Sequence, residues 1–286
     1  MKIAVIGANG QLGTELVKQL SKNHEVVKLT HADVEVSDIS RCQILKESKP
    51  DAIINTAASH KVDACEDDPV KTFSVNSVGA KNIASIAKEL NAVDVYISTD
   101  YVFDGRKSAP YTEEDIPSPV NTYGISKLSG EFLTKLVPKH YIVRIASVFG
   151  VAGASGKGGN FVDTMVKKAK NNEAISVVDD MIMSPTYAKD AAVAIEKMLD
   201  KGIPYGVYHA ANGGYCSWFQ FTKEIIRQAG LQPPSLSATK TNVLAQKALR
   251  PMFSALSPVK LKSQGIPIRD WKEALGDYLK EKGHIE

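Results

Sequence analysis

Two textures alternate along the first half of the chain. Short runs rich in β-branched residues recur at 3–6, 26–29, 52–55, 93–98 and 141–145. Apolar runs of this length suit strands covered on both faces. Between them, apolar residues recur every third or fourth position, which is helical spacing. In 11–21 that spacing puts Leu12, Leu16 and Leu20 on one face. Helices are also expected over 39–49, 70–90 and 122–136. Pro50 and Pro138 close two of these, and Pro69 opens the third. Strand–helix alternation of this kind predicts right-handed crossovers and a parallel sheet. The fold class is therefore α/β, a Rossmann-like doubly wound sheet.

The second half begins in the same rhythm, with helices expected over 161–170 and 187–199 and strands over 175–178 and 207–210. After Asn212-Gly213-Gly214 the texture changes. A helix over 218–229 is followed by a Pro- and Ser-rich connector near 233–237 and amphipathic pieces at 257–264 and 271–280. The expected division is 1–150 with about 173–212 for the sheet domain. About 151–172 and 213–286 would form a smaller cap over its open end.

Composition narrows the function classes. The chain has 286 residues, 43% apolar and 23% charged, as in ordinary globular proteins. A formal net charge of +3 with dispersed lysines argues against nucleic acid or a membrane surface as partner. No apolar stretch is long enough to span a bilayer. The N-terminal residues enter a strand at once, so no secretory leader is expected. Cys42, Cys65 and Cys216 are odd in number and far apart. They suit a reducing cytoplasm and suggest no resident metal.

The first strand runs directly into Gly7-Ala8-Asn9-Gly10-Gln11-Leu12-Gly13. Gly7 can make a tight turn, Gly10 lets backbone amides approach a phosphate, and Gly13 lets the helix pack close to the strand. The helix N-terminus then offers free N–H groups to a dinucleotide pyrophosphate. An acid at the tip of the second strand would select NAD. Thr30 stands there instead, Asp33 falls beyond the strand, and Lys28 or His31 could meet a 2′-phosphate. NADPH is the expected cofactor, with NADH also usable.

Tyr123 and Lys127 lie four positions apart on one face of a predicted helix. A tyrosine with a pKa of about 10 is a poor acid at neutral pH. A neighbouring cation would lower that value, and the same lysine could reach the nicotinamide ribose. Thr99 or Ser98, at the end of the fourth strand, could hydrogen-bond a substrate oxygen. Ligands bind at this edge of parallel sheets.

At these residues the chain resembles the extended short-chain dehydrogenase/reductase superfamily. Within it, the chain is similar to the dTDP-4-dehydrorhamnose reductase family, nearly end to end. The shared strings include Asn55-Thr56-Ala57-Ala58, Ser98-Thr99-Asp100-Tyr101-Val102-Phe103-Asp104-Gly105, Ser184-Pro185-Thr186 and Arg250-Pro251-Met252-Phe253-Ser254-Ala255-Leu256. The resemblance implies that Gly7, Gly10, Gln11 and Leu12 hold the pyrophosphate. Glu35 and Val36 would lie by the adenine, with Ala57, Ala58 and Ser98 along the cofactor. Thr99, Tyr123 and Lys127 would be catalytic, and Asp100, Val102 and Phe103 would approach a nucleotide sugar. The implied reaction is reduction of a 4-keto-6-deoxy sugar on a nucleoside diphosphate. The alternatives are a related epimerase and a non-catalytic NADP-binding regulatory subunit.

The chain departs from that family around the sugar. Ser147 stands where members usually carry a tryptophan, and 180–186 lacks the usual Gln and Gly. Some members bridge a dimer through Mg²⁺ and three glutamates. Glu15 matches one, while the other two positions fall at Lys189 and Lys272, and protonated lysines do not ligate a hard cation. A monomer or a homodimer without that bridge is expected. Arg250 is either a substrate-phosphate ligand or a surface ion pair. Glu66-Asp67-Asp68 reads as a solvated acidic turn, and Asn76 as a support for Lys127 through a water.

Overall fold

The computed structural model describes residues 1–153, 159–243 and 246–286. Residues 154–158, inside the stretch assigned to the cap, lie outside the described residues. The apolar runs form strands β1 (Lys2–Ile6), β2 (Glu25–Leu29), β3 (Ala52–Asn55), β4 (Val93–Thr99) and β5 (His140–Ile145). They pair in the order β2-β1-β3-β4-β5, entirely parallel, and β10 (Gly206–His209) extends the sheet beside β5. The chain reverses its direction of travel at β1, between β2 and β3. At such a switch point the connections leave on opposite faces and a crevice opens.

Each face is covered by helices whose apolar stripe matches it. Leu12, Leu16 and Leu20 of α1 (Gln11–Leu20) meet Ala191, Ala192 and Ile195 of α8 (Ala188–Lys201) over Ile3, Val5 and Ile54. On the other face Ile83, Ile86 and Ala87 of α5 (Gly79–Leu90) and Leu45 of α2 (Ile44–Ser48) pack on Ala4, Ile6 and Ile53. A second core joins α7 (Phe161–Lys170), α9 (Trp218–Gln228) and α11 (Trp271–Glu281) through Phe149, Val166, Tyr187, Phe221, Trp271 and Tyr278.

Some elements differ from expectation. The helix expected at 39–49 is a 3₁₀ turn, Arg41–Gln43, followed by five helical residues, Ile44–Ser48. It stops at Lys49, which precedes Pro50 and adopts φ +46°. A proline disfavours helical backbone in the residue before it. The helix expected at 70–90 is α4 (Pro69–Phe73), a π turn over Ser74–Val78, and then α5. The acidic residues 66 and 67 end a helix the periodicity did not reveal, α3 (Val62–Asp67). The 175–178 strand, β7 (Ile175–Val178), stays out of the main sheet. It pairs with β12 (Leu236–Thr239), which lies in the supposed connector. Ile175 and Val177 belong to the second core. Conversely, Leu261 of α10 (Val259–Ser263) and Ile266 pack into the core of the main sheet. The remaining strands are two-residue pieces. β6 (Val148–Phe149) pairs with β9 (Thr186–Tyr187), and β8 (Ile182–Met183) pairs with β11 (Cys216–Ser217).

Candidate active site

The glycine-rich turn sits at the β1/β3 crevice. Gly7 has φ +78°, and a Cβ there would lie 2.4 Å from Thr56 Oγ1. A Cβ on Gly13 would lie 2.0 Å from the Gly7 carbonyl oxygen, so only glycine lets α1 start so close to β1. No side chain caps α1, and its first amides are left for another acceptor. Gln11 donates its amide to the Val148 carbonyl at 2.8 Å, while its Oε1 is buried without a partner among the described residues. An open helix N-terminus, a glycine cradle and an orphaned buried oxygen together fit a dinucleotide. Leu12 is buried against the sheet, so its segment offers backbone.

The loop after β3 borders the same crevice. Thr56 Oγ1 donates to the Ile6 carbonyl at 2.7 Å, and the Ala57 amide donates to Asn55 Oδ1 at 3.1 Å. Ala57 and Ala58 are half-buried there. Val36 is packed under Gly79, and Glu35 accepts from the Ser37 hydroxyl at 2.7 Å. Asp33 accepts from both the amide and the hydroxyl of Thr30, which leaves Lys28 and His31 exposed at the end of β2.

Thr99 ends β4, and Tyr123 opens α6 (Thr122–Thr134), with Lys127 one turn on. The Thr99 hydroxyl and the Tyr123 phenol meet at the carboxyl edge of the sheet, and Lys127 is buried one turn along the same helix. Burial pushes the Tyr123 phenol well above its ordinary pKa, and the Thr99 hydroxyl facing it works the other way. The expectation that Lys127 lowers this value is not met. The ammonium lies over the Tyr96 ring, 4.0 Å from its centroid, and burial pulls its own pKa down to about 7 against the pull of Glu131. Each group is shifted by its own burial, the lysine being only 2% exposed, and desolvation disfavours the charged form of both. The Tyr101 ring stands edge-on to Tyr123 at 5.8 Å.

Several predicted residues have other partners. The Ser98 hydroxyl donates to Glu131 Oε1 at 2.5 Å, and Glu131 in turn holds Arg144 bidentately at 2.8 and 2.7 Å. Asp100 accepts from Thr99 at 3.1 Å and from Ser254 at 2.5 Å, and burial pushes its carboxyl up to about 6. Val102 and Phe103 have no exposed surface. Phe103 stacks on Tyr111 at 4.1 Å, and the Arg144 guanidinium lies 5.0 Å from its centroid. Their side chains are packing groups. Arg250 pairs with Asp63 at 3.0 Å and also faces the Tyr101 hydroxyl. The segment after it is threaded between two loops, for the Phe253 amide donates to Gly105 and the Ser254 amide to Ile182.

Asn76 is fully buried on the π turn. It accepts from the Ser59 amide, and it donates to the Ser59 carbonyl and the Ser126 hydroxyl, each at 2.9 Å. It ties the loop after β3 directly to α6. A π turn is a frequent mark of a functional site. Glu15 has Lys18, Lys189 and Glu281 as charged neighbours, and Lys189 donates to Glu281 at 2.8 Å. Lys272 lies elsewhere, over the Trp271 ring.

Sequence reasoning missed Glu66, Glu131 and Arg144. Arg144 had a visible signal, since a lone arginine inside the apolar run 141–145 needs a buried acid. Glu131, one turn past Lys127, offers that acid.

Comparison with known proteins places this geometry. Residues 1–283 match the family model described as RmlD substrate binding domain. The spore coat polysaccharide biosynthesis protein SpsK of Bacillus subtilis is 40% identical over 284 residues, covering 98% of both chains. A crystal structure of a dTDP-4-dehydrorhamnose reductase from Clostridium acetobutylicum superposes with TM-score 0.92 at 38% identity, covering 98% of this chain and 99% of the other. The dTDP-4-dehydrorhamnose reductase of Bacillus anthracis, solved in complex with NADP, gives TM-score 0.91 at 36% identity, with coverage of 98% and 99%.

Proposed function

The chain belongs to the RmlD substrate binding domain family, and on that premise we propose that it is an NADPH-dependent reductase of dTDP-4-dehydrorhamnose, acting in dTDP-L-rhamnose biosynthesis. One observation carries the reading. Thr99 and Tyr123 meet at the strand edge, with Lys127 one turn along the same helix, beside a cradle suited to a dinucleotide. NADPH, when bound, supplies a hydride to the C4 carbon of the sugar.

The chain's own residues do the rest. Gly7, Gly10 and the backbone amides at the open start of α1, those of Gln11 and Leu12 among them, bind the pyrophosphate. Lys127 donates to ribose hydroxyls, and that contact repays part of the cost of its burial. Tyr123 holds its proton at neutral pH, as an ordinary phenol does, and burial strengthens that hold. It is therefore loaded to protonate the oxygen at C4 as charge develops there, and Thr99 donates a second hydrogen bond to that oxygen. General acid catalysis of this kind contributes about 10²- to 10⁴-fold. Asp100 orders Thr99 and Ser254 on the sugar side rather than touching the reacting carbon. The sugar lies under the cap, where Ser147, at φ +43°, replaces a larger residue of relatives. Among the described residues no helix is long and apolar enough to cross a membrane. We place the enzyme in the cytoplasm, as a monomer or a homodimer without a metal bridge, since the Lys18 and Lys189 ammonium groups stand beside Glu15 and Glu281.

The test is a coupled assay with dTDP-4-keto-6-deoxy-L-lyxo-hexulose and NADPH or NADH. Tyr123→Phe is expected to lower kcat by about 10²-fold or more with NADPH affinity retained. Tight NADP binding without turnover on any 4-keto nucleotide sugar would favour the regulatory-subunit reading instead.

A further inference from the structure

Three acids on one short helix join the start of α6 to the C-terminal segment that crosses the site. All three lie on α3, and none is simply solvated. Glu66 accepts from the Thr122 amide at 2.8 Å and from the Thr122 hydroxyl at 2.6 Å. Asp63 accepts from the Ala248 amide at 3.1 Å and from Arg250 at 3.0 Å. Asp67 accepts from Lys247 at 2.6 Å. The ring of ties closes at Asn121, whose Nδ2 donates to the Leu249 carbonyl at 2.7 Å. Thus α3 holds α6, α3 holds segment 247–250, and that segment holds the cap of α6.

The division of labour at the start of α6 is informative. A helix leaves its first amides without internal partners. Asn121 is the N-cap and takes the Gly124 amide through Oδ1 at 2.8 Å. The Thr122 amide would be left over, and the Glu66 carboxylate takes it. A negative group at this end is also favoured by the helix dipole. Tyr123 is the next residue, so its backbone is held on both sides. Arg250 completes the link, because it joins Asp63 to the Tyr101 hydroxyl, and the Tyr101 ring bears on Tyr123.

We propose that Glu66 is a positioning residue for Tyr123, and that α3 acts as a clasp coupling the aim of that phenol to the seating of segment 247–250 on the substrate side. This rests on Tyr123 being the proton donor. The ties differ in strength. The Asp67–Lys247 pair is exposed on both sides and yields to salt. The Glu66–Thr122 pair is partly buried, made of hydrogen bonds to a charged acceptor, and persists.

The experiment compares wild type, Glu66→Ala, Glu66→Gln and Asp63→Asn by steady-state kinetics and by amide hydrogen exchange. Glu66→Ala is expected to lower kcat about tenfold or more while NADPH affinity stays within about twofold, because a small misplacement of a reacting group costs rate rather than cofactor binding. Glu66→Gln keeps an acceptor for the Thr122 amide and recovers most of that loss. Asp63→Asn raises KM for the nucleotide sugar more than it lowers kcat. Exchange in Glu66→Ala quickens at 121–125 and at 247–250 together. Unchanged kcat in Glu66→Ala overturns the proposal. So does an equal loss in both Glu66 variants with a parallel loss of NADPH affinity, which marks general unfolding. Exchange that quickens only at 121–125 overturns the coupling. If wild type turns over no keto sugar, the reductase reading fails, and the exchange result alone decides the clasp.

Discussion

Asp94, the second residue of β4, has a carboxyl that is almost wholly buried, and its Oδ2 has no hydrogen-bond partner among the described residues. Burial pushes its pKa up to about 8 from 3.8. The folded chain therefore keeps this proton where the unfolded chain has released it. Stability from this group is full on the acid side and falls as pH rises between about 4 and about 8. Lys127 has the opposite slope above about 7, since folding disfavours its ammonium and the penalty eases as that proton leaves. The comparison is thus variant against wild type. Asp94→Asn, which stays neutral, should gain in melting temperature relative to wild type as pH is raised through that window. A constant difference would mean the carboxyl does not titrate across it.

Helix α6 shows how one element serves two ends. Tyr123, Lys127 and Glu131 follow at helical spacing, so the face proposed to carry the chemistry also carries its anchor. The anchor is the Glu131–Arg144 pair, 0% and 2% exposed, with Ser98 on the same carboxylate. Both charges are desolvated, so removing one strands the other. Glu131→Gln should cost about 3–5 kcal/mol, read from the urea midpoint with the slope unchanged. A loss under about 1 kcal/mol would show that Arg144 finds another acceptor. The π turn before α5 works in the same spirit. A regular turn would place Asn76 differently, away from Ser59 and Ser126, and the crevice loop would lose its tie to α6.

The cores packed on the two faces of the sheet and the second core under α7, α9 and α11 are joined through a few contacts. β6 pairs with β9, and Lys18 of α1 and Lys189 of α8 both donate to Glu281 of α11. Both tryptophans sit in or against the second core, while the cofactor cradle lies on the sheet. Tryptophan fluorescence thus reports the half that NADPH does not build on. At a concentration a hundredfold above Kd, NADPH should add about 2.7 kcal/mol to stability. If the halves unfold together, the fluorescence and far-ultraviolet transitions shift by the same amount. A tryptophan transition indifferent to NADPH would show two independent units.

Much of this was legible in one dimension because it rests on local rules. Strands buried on both faces must be apolar, helices must carry a stripe, and a glycine is required where 7 and 13 approach the backbone. The five strands of the early sheet, the phosphate turn and the spacing of Tyr123 to Lys127 follow from those rules. What pairs with what does not. The acids of α3 look solvated in sequence, and their partners lie 56 to 187 positions away. β12 hides behind prolines, and β7 takes its place only when that distant strand arrives. The ionisation of Tyr123 and Lys127 was read with the wrong emphasis for the same reason. Periodicity brings a cation near a phenol, but the depth of burial, which decides the cost of charge, belongs to the packed whole.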